Sequence, residues 1–477
     1  MVLPVLVFGV DATRPKQKDS AIVLALRTAV RMRAEPGGSV RFALLHRRLR
    51  LRGLTGGIRR VLRMLAHRGA AEDDLSDVVH RVDGAGALPW WYYCLDSLLE
   101  FGAVCYILRL GARPIARLAP GARPFRMTGA TADAHRRYQL SRFAYLRRER
   151  DAFVLDSPLS GAQLELLEGS AFHMVAALSR PTTVRGLAAA APGTSPADAR
   201  LFVALLHGAG MLADADGTAS EWDFCDLVFH ASARRERRDL QTLERPGSPR
   251  RPPPAVKPVM STSVTPLTRP DLERLKAADV PFTRVLEARR SERRYGATPL
   301  TLHQLGEFLF RVARVKRGSG TRVSRPYPSG GARYGLELYP VVAACRGVAR
   351  GIHHYDPLRH RLEGLEAPRA EVDTLLRFAA AAAGGSVRPQ VLIVIAARFR
   401  RVTSKYRAMA YALILKEVGV LLQNMYLVAT AMGLAPCALG GGDPERFARL
   451  IGADFHEETS VGEFLLGSSQ VHRSAAR

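Results

Sequence analysis

Four short stretches carry residue types and spacings able to do chemistry. In Arg289-Arg290-Ser291-Glu292-Arg293, two guanidinium groups stand four residues apart with a hydroxyl between them. Guanidinium forks grip phosphate oxygens in pairs, so this is a candidate phosphate clamp if a helix puts Arg289 and Arg293 on one face. The alternative is a solvated charge run. In Pro328-Ser329-Gly330-Gly331, paired glycines follow a turn rich in proline. Lacking Cβ atoms, that backbone can take positive φ and lie flat against a planar ligand, or close a tight loop with no ligand at all. Lys405-Tyr406 joins an amine to a phenol. The pair can supply a general base or acid if a buried pocket lowers the lysine pKa, and is surface decoration if none does. Gly440-Gly441 offers a second place for close ligand approach.

These stretches fall in a C-terminal half that mixes strands and helices. The glycine turn runs into an apolar strand, Leu338 to Cys345, and Val391 to Ala397 has the length of a buried strand. Lys405-Tyr406 opens a helix expected from Ala408 to Met432, along which Leu413, Glu417, Leu421, Asn424 and Val428 recur at helical spacing. Pro436 to Leu439 reads as a short strand ahead of the second glycine run. Upstream, helices are predicted at Val61–Leu65, Asp74–Val82 and Trp90–Phe101, the last capped by Gly102 and followed by two strands around Gly111. A similar order recurs: His173–Leu178, Val184–Ala190, then a helix with Ser195 as N-cap and Pro196 as first residue, running to His207. The expectation is an α+β protein with two winged-helix-like units, 1–120 and 166–233, joined by a hairpin in 121–165. An Arg/Pro-rich stretch, 234–270, cannot bury apolar area and reads as a linker arm. A domain over 271–477 then holds the candidate chemistry.

With 477 residues the chain is too long for one core, and its 47% hydrophobic and 24% charged content is ordinary for a soluble protein. No apolar run approaches the roughly 18 residues of a membrane span. The apolar N-terminus lacks the basic segment and cleavage pattern of a signal peptide, so a cytoplasmic location is expected. The net charge of +26 favours polyanions in general, an acidic peptide included. DNA readers put several Arg or Lys on their recognition helix, whereas Asp74-Leu75-Ser76-Asp77 is acidic and Val184–Ala191 offers only Arg185. Nucleic acid is therefore not the expected partner; the same scaffold can add a peptide strand to its wing. The five cysteines have no metal-ligand spacing and sit in apolar surroundings, which predicts buried, reduced thiols. Adjacent His353 and His354 point opposite ways in a strand, so no metal site is expected.

Taken in order, Arg289-Arg290-Ser291-Glu292-Arg293, Pro328-Ser329-Gly330-Gly331, Lys405-Tyr406 and Gly440-Gly441 resemble the motif series of the flavin-dependent nitroreductase superfamily. Arg325-Pro326-Tyr327-Pro328, Leu336-Glu337-Leu338-Tyr339, His354-Tyr355-Asp356-Pro357 and Ala255-Val256-Lys257-Pro258 resemble its azoline dehydrogenase branch, the SagB, McbC and cyanobactin-oxidase type. The likeness covers about residues 255–467 and continues upstream through Leu140-Ser141-Arg142-Phe143, Asp156-Ser157-Pro158-Leu159 and Asp226-Leu227-Val228-Phe229-His230.

The resemblance implies an obligate homodimer with FMN at the subunit interface. Arg289, Ser291 and Arg293 match contacts to the ribityl phosphate; Pro328, Ser329, Gly330 and Gly331 match one loop on the flavin ring, and Gly440 and Gly441 the other. Lys405 and Tyr406 match a catalytic pair. The implied reaction oxidises a thiazoline or oxazoline in a ribosomally made precursor peptide to the thiazole or oxazole, either Lys405 or Tyr406 taking the proton. The N-terminal units would hold the peptide, and a cyclodehydratase complex would be a partner. Two rivals are a general NAD(P)H-dependent nitro or quinone reductase, which would lack the long N-terminal half, and a flavin-free scaffold that presents peptide. Arg333 and Gly335 depart from the branch pattern, and Gly467-Ser468-Ser469-Gln470 lacks a basic residue for a second phosphate contact.

Overall fold

The structure is a computed structural model that describes residues 20–44, 47–121, 125–127, 132–149, 151–233, 252–320, 322–385, 387–406 and 409–470. The apolar N-terminus and the Arg/Pro-rich segment 234–251 lie outside the described residues. The chain divides into two compact units, 1–246 and 247–477.

In the first unit β1 (Ala21–Leu26) precedes an antiparallel ribbon of β2 (Arg31–Ala34), β3 (Val40–Leu44) and β4 (Arg47–Leu51). Helices α1 (Gly56–His67), α2 (Glu72–Asp83) and α3 (Leu88–Phe101) follow, each longer than its sequence nucleus. Their apolar stripes turn inward, as Ile58, Val61, Leu62 and Leu65 do on α1. α3 ends at Gly102, whose φ of 75° is the left-handed cap its sequence called for. The wing forms as expected from β5 (Val104–Leu110) and β6 (Arg113–Pro120). Next come β7 (Arg137–Tyr138), β8 (Tyr145–Glu149), β9 (Ala152–Asp156) and β10 (Ala162–Leu166). After them are α4 (Gly169–Ala177), β11 (Thr182–Thr183), α5 (Val184–Ala190), α6 (Pro196–Gly208) and α7 (Phe224–Ala233). Ser195 closes a capping box with Asp198 at the start of α6.

Here the sheet departs from a chain of two separate wings. β6 pairs with β10, giving one six-stranded sheet in the order β1-β5-β6-β10-β9-β8. The hairpin β8–β9 extends the first wing instead of bridging two bodies. Among the described residues no strand pair follows α6; Leu212 makes a single bridge to Leu140. Both helix triplets bury side chains in one core, Leu98 and Leu118 together with Phe202 and Leu205. Pairing β6 with β10 puts both triplets over the same sheet, so one core serves both. Four cysteines are buried and none of the five is in a disulfide, but Cys225, on α7, is exposed.

The second unit holds β12 (Val264–Pro266), α8 (Leu272–Ala278), α9 (Phe282–Ala288), β13 (Leu300–Thr301), α10 (Leu302–Ala313), β14 (Arg317–Ser319) and β15 (Arg322–Ser324). Then come β16 (Leu336–Val342), β17 (Cys345–Arg346), β18 (Gly351–Asp356), β19 (Arg361–Leu365), α11 (Arg369–Ala382) and β20 (Val391–Arg398). It closes with α12 (Phe399–Thr403), α13 (Ala410–Ala431), β21 (Leu434–Leu439), α14 (Pro444–Leu450) and β22 (Glu458–Ser468). Seven strands form an antiparallel sheet in the order β12-β19-β18-β16-β20-β22-β21. The two faces are covered separately. Leu336, Leu338, Ile393 and Ile395 pack with α10 and α13; Tyr339, Val341, Leu392 and Val394 pack with α11 and α14. Burial on both faces is why β16 and β20 read as continuous apolar runs.

The described part of the expected linker is built into this unit. Buried arginines donate to three successive carbonyls: Arg401 to Pro253 (2.6 Å), Arg398 to Pro254 (2.9 Å) and Arg325 to Ala255 (3.5 Å). Arg325 and Arg398 also flank buried Glu337, at 3.8 and 3.2 Å. Desolvation would raise the Glu337 carboxyl, but His354, its Nε2 3.6 Å away, and the Arg325 and Arg398 cations outweigh it and hold the pKa down at about 2. α13 is long and apolar enough to cross a membrane by length and composition. Leu421, Met425 and Ala429 on one side of it enter the core, while Tyr411, Leu415 and Val420 are exposed.

Candidate functional site

The glycine turn is built around one carboxylate. The Ser329 hydroxyl and the Gly330 N–H both donate to Glu417 Oε1, at 2.9 and 2.8 Å, and the Tyr334 N–H donates to Ser329 Oγ at 2.8 Å. The resulting turn has φ of 59° at Gly331, 54° at Ala332 and 46° at Tyr334. The last two carry side chains in the left-handed region, at roughly 1–2 kcal/mol each. Arg401 holds the far end, donating through Nε (2.9 Å) and Nη2 to the Arg333 carbonyl. Burial, then Arg398 and Arg333, pull the Arg401 pKa down to about 10. Glu417 sits on α13, 5% exposed, and among the described residues its Oε2 has no hydrogen-bond partner. Desolvation raises its pKa, although the bonds from Gly330 and Ser329 act the other way.

This turn meets the Lys-Tyr pair. A Cβ on Gly331 would lie 2.5 Å from Lys405 Nζ and 2.8 Å from Tyr406 Oη; one on Gly330 would lie 3.4 Å from Glu417 Oε1 and 3.8 Å from Tyr406 Cε2. At Gly330 a Cβ would make ordinary contacts; at Gly331 it would displace the end of Lys405, crowd Tyr406 Oη and sit strained at a φ of 59°. Lys405 Nζ stands 5.2 Å from the Tyr406 ring centre, a cation–π distance. The pair lies in the turn after α12, both backbone N–H groups on the Val402 carbonyl, and α13 starts later than expected, at Ala410. Residues 407–408 are outside the described set. Within the single chain Lys405 is exposed, and Tyr406 is half-buried.

Arg289–Arg293 is not helical. α9 stops at Ala288 because the following N–H groups turn to the sheet edge: Glu292 to the Pro436 carbonyl (2.8 Å) and Gly296 to that of Ser468 (2.9 Å). Arg289 and Arg293 therefore share no helical face. Arg289 instead lies over the Tyr426 ring at 5.4 Å, Ser291 shares a 2.7 Å hydrogen bond with the Tyr426 hydroxyl, and Arg293 is exposed. The Ala438 N–H, on β21, donates to that same hydroxyl at 2.8 Å. Beyond β21, a Cβ on Gly440 or Gly441 would meet nothing within 4 Å, so contacts within the chain do not demand either glycine.

The two groups are apart within one chain. Glu417 and Tyr426 are nine residues apart on α13, which at about 100° and 1.5 Å per residue is opposite faces and about 13 Å of axis. Sequence reasoning missed Glu417 and Arg401 as site-building residues. Glu417 had a signal: it is the single acid in α13. Arg401 had none, being one arginine in an arginine-rich chain.

Residues 286–468 match the nitroreductase family, residues 138–239 the cyanobactin oxidase ThcOx, and residues 19–128 the ThcOx helix-turn-helix domain. A nitroreductase-like protein of Methanocaldococcus jannaschii is 35% identical over 171 residues, which is 36% of this chain and 81% of that protein. The chain belongs to the nitroreductase family. Its first unit has the helix-turn-helix character read from the sequence, and its second has the α+β fold of the family. The microcin B17-processing protein McbC of Escherichia coli is 34% identical over 123 residues, covering 24% of this chain and 42% of McbC. The solved E. coli microcin synthetase complex McbBCD, with truncated pro-peptide bound, contains a chain 22% identical to this nitroreductase-family protein, covering 43% of this chain and 84% of that one, with a TM-score of 0.33.

Proposed function

We propose that this protein is an FMN-dependent dehydrogenase that oxidises thiazoline or oxazoline rings in a ribosomally made peptide to the aromatic azoles. The observation that carries this reading is the meeting of Gly330-Gly331 with Lys405 and Tyr406, in a chain whose N-terminal half matches cyanobactin-oxidase domains. The residues fit FMN. Gly331 lies tight against the Lys-Tyr pair, open space adjoins Gly440 and Gly441, and Ser291 and Arg289 meet at Tyr426, two residues from exposed Arg293. Arg289, Ser291 and Arg293 would hold the phosphate; Pro328, Ser329, Gly330, Gly331, Gly440 and Gly441 would bracket the ring. When bound, FMN supplies the acceptor for the hydride that leaves the azoline β-carbon. Lys405 or Tyr406 takes the α-carbon proton, and their closeness to one glycine turn supports a single place for that carbon.

The protein acts as a homodimer. The phosphate group of residues and the glycine turn occupy opposite faces of α13, and a second copy would bring one of each together. Exposed Tyr411, Leu415 and Val420 on α13, with Phe282 and Leu286 on neighbouring α9, supply the apolar surface such an interface requires. The first unit presents the peptide, and a cyclodehydratase that makes the azoline is the natural partner. A ribosomal substrate and unpaired cysteines suit the cytoplasm. The test is incubation of FMN-loaded protein with an azoline-bearing peptide. Loss of one hydrogen molecule per ring, read by mass spectrometry, is the expected result. A yellow protein that reduces nitroarenes with NAD(P)H but leaves azolines untouched would overturn the reading, as would a protein that binds no FMN.

A further inference from the structure

Away from the glycine turn, an open cavity of about 510 Å³ lies between the start of α8, the end of α10, the first strand of the β14–β15 hairpin and the β18–β19 turn. That volume is within the roughly 300–1,000 Å³ of ligand sites. Arg269, Arg314, Lys316 and Arg317 line it, and no carboxylate does. Among the described residues none of these four cations is in an ion pair. Acids on the adjoining elements are engaged elsewhere: Asp279 and Glu307 by Arg311, Asp356 by Arg359 and Arg361.

Two of the cations are pre-set. Arg314 donates to the Phe310 carbonyl at 3.1 Å and stacks 4.5 Å over the Phe310 ring; Arg269 donates to the Leu358 carbonyl at 3.4 Å. Arg314 is also half-buried, and burial of a guanidinium without a counter-charge is unfavourable; desolvation lowers its pKa. Between the cations the walls are apolar, with Leu272, Phe310 and Leu358. Cations alone would suit a compact inorganic anion. Cations alternating with apolar walls suit carboxylates carried among apolar side chains. The cavity wall is also tied to the site: the Lys316 N–H donates to the Ser324 carbonyl at 2.8 Å, and Arg317 pairs with Ser324, the residue that leads into the glycine turn through Arg325.

We propose that this cavity docks an acidic, apolar-flanked segment of the peptide substrate while the azoline occupies the glycine turn. The inference rests on the peptide-substrate reading, so docking and turnover are measured separately. FMN-loaded full-length protein is titrated into a fluorescein-labelled Leu-Asp-Leu-Glu-Leu-Asp peptide and into its Asn/Gln counterpart, and anisotropy is read at fixed salt. The acidic peptide should bind at least about tenfold more tightly, as several exposed ion pairs together would give. The double substitution Arg314→Gln with Arg317→Gln should erase that preference while FMN content and Tm stay unchanged. Arg369→Gln with Arg377→Gln, an equal change of charge on exposed α11 positions away from the cavity, should leave it intact. A preference that survives the cavity variant, or that falls equally in the control, overturns the site. Inorganic pyrophosphate displacing the probe below the peptide's own Kd reassigns it to phosphate and overturns the peptide assignment. Oxidation of a short azoline peptide without acidic residues, compared between wild type and cavity variant, reports on the reaction alone. Its failure in both would sink the reaction reading and leave the docking result standing.

Discussion

Replacing Glu417 with alanine removes the acceptor shared by Ser329 and Gly330. At about 1.5 kcal/mol for each bond, the boundary between neutral and charged acceptors, the loss is about 3 kcal/mol. The left-handed conformations at Ala332 and Tyr334 oppose the turn by roughly 2–4 kcal/mol together, so it loses most of what keeps it closed. At 1.4 kcal/mol per factor of ten, FMN affinity should fall about 100-fold. Global stability should not fall in step, because the mutation also removes a buried oxygen with no partner. Glu417→Gln, which keeps an acceptor oxygen, should retain FMN. It should also be more stable than wild type at neutral pH. The sign follows from burial: the folded-state pKa is raised, so what the protonated acid contributes is fully present below the ordinary value of 4.5 and lost as pH rises through the folded value. The advantage of glutamine should therefore shrink as pH drops toward 4.5. The assay is quenching of FMN fluorescence on titration with apoprotein, beside urea unfolding of the three proteins. An alanine variant that binds FMN within about threefold of wild type, a difference of under 1 kcal/mol, would refute the clamp.

Lys405→Ala and Tyr406→Phe should keep FMN yet slow azole formation by about 10²–10⁴, the range for losing a general base; mass spectrometry of single-turnover mixtures checks this, and unchanged turnover in both removes the pair from the mechanism. Gly331→Ala forces a Cβ to within 2.5 Å of Lys405 Nζ at a φ of 59°, so activity should fall much further than Tm, measured side by side. Glu337, held at about 2 against an ordinary 4.5, should contribute about 3 kcal/mol that is present above pH 4.5 and lost as pH falls toward 2. Acid titration followed by circular dichroism should show that loss, and a Glu337→Gln variant should lack this share of it, its remaining acid sensitivity coming from other carboxylates with lowered pKa values such as Glu363 and Asp198.

What the sequence made legible depended on how local the cause was. The Gly102 stop, the Ser195-Pro196 start and the strand through Leu338 follow from backbone preference and periodicity, and all three stand in the structure. The helix imagined for Arg289–Arg293 failed because Glu292 and Gly296 bond to Pro436 and Ser468, more than a hundred residues away. The pairing of β6 with β10, which joins the strands of the N-terminal half in one sheet, went unread for the same kind of reason: it has no local signature. In the candidate site, the order of motifs announced the glycine turn and the Lys-Tyr pair, but not the carboxylate beneath them. Glu417 looked like one more position on a helical stripe until the fold turned it toward Gly330.

The three arginines that reach back to Pro253, Pro254 and Ala255 set where this protein can be divided. An expression boundary placed at residue 271, where the composition changes, would strip the carbonyls and leave three guanidinium groups facing an empty slot inside the fold. Arg401 would then hold Arg333 without its bond to the Pro253 carbonyl, and the disturbance would pass into the glycine turn. A cut upstream of Pro252 removes none of these contacts. Recombination between relatives that trade N-terminal halves is under the same restriction: the short proline segment has to travel with the nitroreductase-family half, whatever N-terminal unit is joined ahead of it.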